Sequence, residues 1–214
     1  MTEEDESARR SEYGIDRILA ISDGVFAFAV TLLVLDLVVP TLLPGASSAD
    51  LWQALSKEYV SFLSYLISFF ITGIWWNAHN RDFSQIRRSD STLRWLNLAF
   101  LLWIALLPFF TKVLDLYDTL QSAVVLYAID QAAAGTFLGL SWWYASTNHR
   151  LVDKHLKKSA IKSRLLTSFI APLFFIISIG ISFMGPVIAI YFWLGMFPVL
   201  FLTHRLETKT KEVT

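Results

Sequence analysis

The chain has 214 residues, 55% of them hydrophobic and 15% aromatic, against only 17% charged. Soluble domains are more polar, with about 25% charged residues, and the mean hydropathy of +0.51 points to a membrane protein. Formal net charge is zero and there are no cysteines, which argues against a nucleic-acid partner and excludes disulfides, thiolate metal sites and cysteine nucleophiles.

The first ten residues, through Arg10, are polar and charged, so no removable signal peptide is expected. A bilayer core needs about 20 mostly apolar helical residues, and six segments qualify. The first runs from about Ile18 to Leu43, with Asp23 and Asp36 inside it and Pro40 near its end. The second, Tyr59 to Trp76, and the third, Trp95 to Thr111, carry no acid and no base before Thr111. The fourth, Thr119 to about Trp143, is interrupted only by Asp130 and Gln131. Leu165 to Phe183 is the fifth, and Met184-Gly185-Pro186 turns the chain into a sixth that ends near Thr203. The runs are long and lack strict alternation, so they are helices rather than barrel strands. The fold class is all-α, an integral membrane bundle of six transmembrane helices, read as one domain over 1–214.

Six spans leave both termini on one side. Of the 18 Lys and Arg, all but Lys57 and Lys112 fall on that same side, which the positive-inside rule makes cytoplasmic. The expected location is the cell inner (plasma) membrane, as a multi-pass protein. The basic run around Lys154, Lys157, Lys158 and Lys162 reads as a topology signal in contact with anionic headgroups. Trp75, Trp76, Trp95, Trp142 and Trp143 lie near span ends, the usual interfacial belt.

The first span carries a carboxylate, Asp23, which needs a partner or a wet cavity inside a membrane. With Phe28 as reference, Ile21, Gly24 and Leu35 fall within about 40° of it, Leu32 at about 40° and Thr31 at about 60°. Asp23 falls about 140° away. Two readings stand at this point: an apolar packing stripe with Asp23 as a buried knot, or a pore-lining stripe that Asp23 braces from behind. The stretch from Trp75 to Asn80 at the end of the second span offers partners for Asp23.

The run Arg17-x-x-x-Ile21-Ser22-Asp23-Gly24 resembles the Arg-x-x-x-Phe-Ser-Asp signature of the endosomal/lysosomal potassium channel family (transmembrane protein one hundred seventy-five), in its bacterial branch. Ile21 stands where that signature has phenylalanine. The continuation through Asp36 and the run Trp75-Trp76-Asn77-Ala78-His79-Asn80 are also similar to bacterial members. The resemblance implies a homotetrameric, potassium-preferring channel whose first helix lines a central pore. It implies constricting layers at Phe28, Thr31 and Leu35, with Leu32 a further candidate, and a structural network of Arg17, Ser22, Asp23, Asn77 and His79. The chain has no Thr-Val-Gly-Tyr-Gly filter, so selectivity by rings of backbone carbonyls is not available, and the resemblance implies a hydrophobic constriction in their place. Four copies of Asp36 would form an acidic ring at the outer mouth. The partners expected are a second copy of the chain, the lipid bilayer and monovalent cations, with the permeant potassium ion in place of any cofactor.

A different class of function is a proton- or sodium-coupled secondary transporter using Asp130, since intramembrane acids mark coupling sites. No paired broken helices accompany it. An enzyme is not expected: His79, His149, His155 and His204 form no His-Glu-x-x-His or similar metal set, and no histidine lies near Ser22-Asp23 in sequence.

Overall fold

The computed structural model describes residues 3–195. The end of the sixth span near Thr203 and the basic residues Arg205, Lys209 and Lys211 lie outside them. The helices are α1 (Glu3–Leu35), α2 (Ser48–Lys57), α3 (Tyr59–Phe83), α4 (Ser91–Leu116), α5 (Gln121–Ser146), α6 (Lys158–Ser168), α7 (Ile170–Ser182) and α8 (Pro186–Leu194), with a 3₁₀ turn at Thr147–His149. Five helical segments are long and apolar enough to cross a membrane: Gly14–Leu35, Tyr59–Phe83, Ser91–Leu116, Gln121–His149 and Lys158–Ser182. Among the described residues the only β pairing is one isolated antiparallel bridge between Ile86 and Val152.

Three boundaries differ from the sequence reading, each for a local reason. Helix α1 stops at Leu35 instead of continuing to Leu43, so Asp36 lies just past it. A proline at position 40 would set its ring against the carbonyl of residue 36 and biases Val39 away from helical geometry. The amides of Asp36 and Leu37 instead close tight three-residue bonds to Leu33 and Val34. The fifth span is broken at Phe169 into α6 and α7; Pro172 has no N–H for the carbonyl of Ser168, and its ring crowds it. Helix α2 occupies a stretch that reads as a polar connection. Its start is fixed by a capping box in which Ser47 accepts from the Asp50 amide and Asp50 accepts from the Ser47 amide. The Ser47 amide and the Ser47 hydroxyl, both donating to Asp50 Oδ2, also hold the exposed Asp50 carboxyl below the usual carboxylate range.

Helix α5 is the axis of the subunit. Its buried face includes Ala128, Ala132, Ala134, Gly135 and Gly139, small residues that let neighbouring backbones approach. In a bilayer, helix association rests on such close packing rather than on escape from water. A Cβ at Gly135 would lie 2.6 Å from both Pro172 Cγ and Trp75 Cη2, and one at Gly139 2.9 Å from Phe169 Cζ. The main core joins α1, α3, α4, α5, α7 and α8 around Phe26, Ile71, Phe100, Tyr127, Phe175 and Trp193. A second cluster, with Ile15, Ile18, Phe83, Leu93, Trp142 and Leu151, closes the basic end of the bundle.

Candidate pore helix and its anchors

Helix α1 has two faces. Ile15, Ile18, Ser22, Phe26, Ala29 and Leu33 are buried against the rest of the subunit, at the three- and four-residue spacing of one helix face. The opposite face carries Ile21, Gly24, Phe28, Thr31 and Leu35, all exposed, with Phe28 at 65% and Leu35 at 75%. Leu32 is half-buried at the edge of this stripe. Thr31 Oγ1 donates to the Phe28 carbonyl at 2.9 Å, which leaves the hydroxyl lone pairs pointing away from the backbone. The stripe selected from helical phase is therefore a face that the rest of this chain leaves uncovered.

The buried face is anchored by a directed chain of hydrogen bonds. His79 Nε2 on α3 donates to Asn97 Oδ1 on α4 at 2.9 Å. Asn97 Nδ2 donates to Ser22 Oγ at 3.1 Å, and Ser22 Oγ donates to the Ile18 carbonyl at 2.8 Å. Ser22, His79 and Asn97 are all buried, and the histidine ring is stacked between Phe83 and Phe100. The order of donors requires a proton on His79 Nε2. Asp23 is exposed, and its Oδ1 accepts from Trp76 Nε1 at 2.9 Å. The partner of Asp23 thus comes from the expected end of α3, but it is Trp76. Asn77 is exposed and lies off this chain of bonds, as does Arg17.

At the other end of α1, Lys112 Nζ on α4 donates to the Asp36 carbonyl at 3.0 Å and lies 3.4 Å from Asp115 Oδ2. An ammonium there complements the negative end of the helix dipole. A small cleft lined by Asp36, Ser61, Ser64, Tyr65, Lys112 and Asp115 surrounds the contact. Partial burial pushes the Asp36 carboxyl up; Lys112 opposes this and Asp115 adds to it.

Asp130 is fully buried in α5, away from the exposed stripe. Its Oδ2 accepts from Gln131 Nε2 at 2.8 Å, and Gln131 Oε1 accepts from Trp75 Nε1 at 2.8 Å. Nearby, Thr111 Oγ1 donates to Ser68 Oγ at 2.9 Å, and Ser68 is bonded to the Tyr127 hydroxyl at 3.1 Å. No cluster of metal-ligating side chains occurs among the described residues.

Asn97 and Lys112 escaped the sequence reading. A lone asparagine in an otherwise apolar third span is a recognisable signal, because such an amide needs a partner in lipid. Lys112 gave no comparable signal, since a lysine at a span end reads as an interfacial anchor.

Residues 17–108 match the family model "Endosomal/lysosomal potassium channel TMEM175". A potassium channel of Chryseobacterium sp. is 32% identical over 201 residues, covering 92% of this chain and 97% of that one. The chain belongs to the TMEM175 family. Its similarity places it in the bacterial branch: a potassium channel of Streptomyces collinus is 29% identical over 195 residues, covering 86% of this chain and 93% of its own. The crystal structure of a lysosomal potassium-selective channel TMEM175 homolog from Chamaesiphon minutus superposes with a TM-score of 0.75 at 25% identity, over 91% of this chain and 98% of that one. The TMEM175 family is one of ion channels, not enzymes. The family match begins at Arg17 and takes in both anchors of the upper half of α1, Asn97 and His79.

Proposed function

We propose that this TMEM175 member is a potassium-preferring cation channel of the cell inner membrane, assembled as a homotetramer with α1 of each subunit lining a central pore. The observation that carries the reading is the uncovered stripe Ile21, Gly24, Phe28, Thr31 and Leu35, opposite a face that is buried and hydrogen-bonded. One helix per chain cannot enclose a pore, so several copies are needed; four is the number the family resemblance implies. The names of the bacterial relatives support potassium as the permeant ion.

In this reading the subunit is a single domain of six spanning helices with both termini cytoplasmic, and α8 opens the sixth. Phe28 and Leu35 form hydrophobic layers, with Leu32 at their edge, that pass an ion only after it sheds part of its hydration. Thr31 offers one ring of oxygen lone pairs between them. A larger, less tightly hydrated ion crosses such a constriction more readily, which gives a modest preference for potassium over sodium. Asp36 concentrates cations at the outer mouth. Ser22, Asp23 and His79 hold the pore helix, and Arg17 and Asn77 belong to the same signature network in the family resemblance.

The test is passive cation flux through purified protein in liposomes, with the reversal potential under opposed potassium and sodium. A voltage-following current shifted toward the potassium potential is expected. Uptake that runs only with an imposed proton or sodium gradient would overturn the channel and place the chemistry at Asp130.

A further inference from the structure

The connection between α5 and α6 is fastened to the bundle. The amides of Arg87 and Arg88 both donate to the Leu151 carbonyl, at 2.8 and 3.2 Å, and Ile86 pairs with Val152. His149 Nε2 donates to the Leu156 carbonyl at 3.0 Å, and Leu151 and Val152 are buried. Two of the cations nearby are turned to internal tasks. Arg150 Nη1 donates to the Tyr144 hydroxyl at 3.0 Å. Arg164 lies 3.6 Å from Asp82 Oδ1, with its guanidinium 4.9 Å above the Trp142 ring.

Lys154, Lys158 and Lys162 remain on the surface, all exposed, and Lys157 lies beside them. Asp153 is the sole acid between Arg150 and Arg164, and its Oδ1 already accepts from the His155 amide at 2.8 Å. Along α6, Lys158, Lys162 and Leu166 follow at four-residue steps on one face, and Leu166 is 64% exposed. That face changes from ammonium to aliphatic within about two turns. A phosphate in water, or an acidic protein, would match the lysines but leave Leu166 without a counterpart. A lipid supplies both, a charged headgroup and then an acyl chain, and the long lysine stems suit that boundary.

We infer that Lys154, Lys158 and Lys162, with Lys157 beside them, form a docking surface for anionic phospholipid headgroups, with Leu166 set against the acyl chain below. The inference rests on the reading of the chain as a membrane-spanning protein but not on its conducting ions. Arg164 on the same helix donates to the Arg81 carbonyl at 3.0 Å, which ties α6 to α3 two residues from His79.

The experiment measures association of spin-labelled phosphatidylglycerol and phosphatidylcholine with the full chain in bilayers, and needs no flux. A lysine near an anionic surface contributes roughly a fivefold preference. The wild type should prefer phosphatidylglycerol several-fold, and high salt should erase the preference. The triple variant Lys154→Gln, Lys158→Gln, Lys162→Gln should lose at least about fivefold of it, while the corresponding Lys→Arg triple variant should retain it. No preference in the wild type, or a preference that survives the glutamine substitutions, overturns the inference. A chain that binds phosphatidylglycerol through these lysines yet carries no current would leave it standing and sink only the channel.

Discussion

Asn97 on α4 donates to Ser22 on α1 across 3.1 Å while accepting from His79 on α3. One side-chain amide therefore ties three spans together at the level of the signature sequence. Its carbonyl oxygen and amino group are both used, and the side chain is buried. Such a group is expensive to strand, because a buried donor or acceptor left unpaired costs about 1–3 kcal/mol.

Asn97→Ala should accordingly destabilise the protein by about 1–3 kcal/mol, since it strands His79 and frees Ser22 together. Ser22→Ala removes one interhelical bond, from Asn97, and one local bond, to the Ile18 carbonyl; its effect should fall nearer the average of about 0.6 kcal/mol for interhelical bonds in membranes. Reversible unfolding in detergent, read by near-ultraviolet signal, compares the two. Equal and negligible effects would show that α1 is held by packing alone.

Phe28→Ala widens the bulkiest layer of the uncovered stripe without touching the buried face of α1. Unitary conductance should rise several-fold while the assembly elutes unchanged on size exclusion. Thr31→Val removes the hydroxyl ring and keeps the shape, so potassium over sodium preference should fall with little change in conductance. If either variant loses assembly and leaves ion selectivity intact, the stripe is a packing surface.

Gly135→Ala places a methyl group 2.6 Å from Pro172 and Trp75. The proline ring cannot rotate away, and overpacking of this kind costs about 1–3 kcal/mol. Thermal unfolding should report the loss. Gly24→Ala is the control: nothing lies within 4 Å of its added Cβ, so stability should be unchanged.

The Asp36 carboxyl is raised by burial, so its ionised form is less favoured in the folded protein than in the unfolded chain. The sign follows directly. Folding stability gains from this group as pH falls, and the gain is lost as pH rises from the ordinary carboxylate value of about 4 through the raised one. The site is only half-buried and Lys112 opposes the shift, so the effect should stay under about 1 kcal/mol. Asp36→Asn should flatten the dependence of the unfolding midpoint on pH at and just above the ordinary carboxylate value of about 4. A slope unaltered by the substitution would assign it to other acids.

Much of this protein was legible from local pattern. Long apolar runs without alternation are helices where the solvent cannot bond the backbone, so the elements from Tyr59 to Phe183 were found, with ends up to about seven residues off and the break at Phe169 missed. The stripe of α1 was visible as well, because helical phase is a local property: Phe28, Thr31 and Leu35 share a face whatever surrounds them. The end of α1 was within reach too, given Pro40, and so was α2, given the Ser47–Asp50 box. Sequence did not decide which face of α1 is buried, since both are largely apolar. Asn97, reaching Ser22 from 75 residues away, settled that, together with the packing of Phe26 against Phe100 and His79. Likewise Asp23 was bound to seek a donor near the end of α3, but whether Trp76, Asn77 or His79 supplied it depended on how the two helices are rotated about their axes. That rotation is fixed by side chains on α4 and α5, and by the close approach that Gly135 and Gly139 permit, none of which is encoded next to Asp23 in the chain.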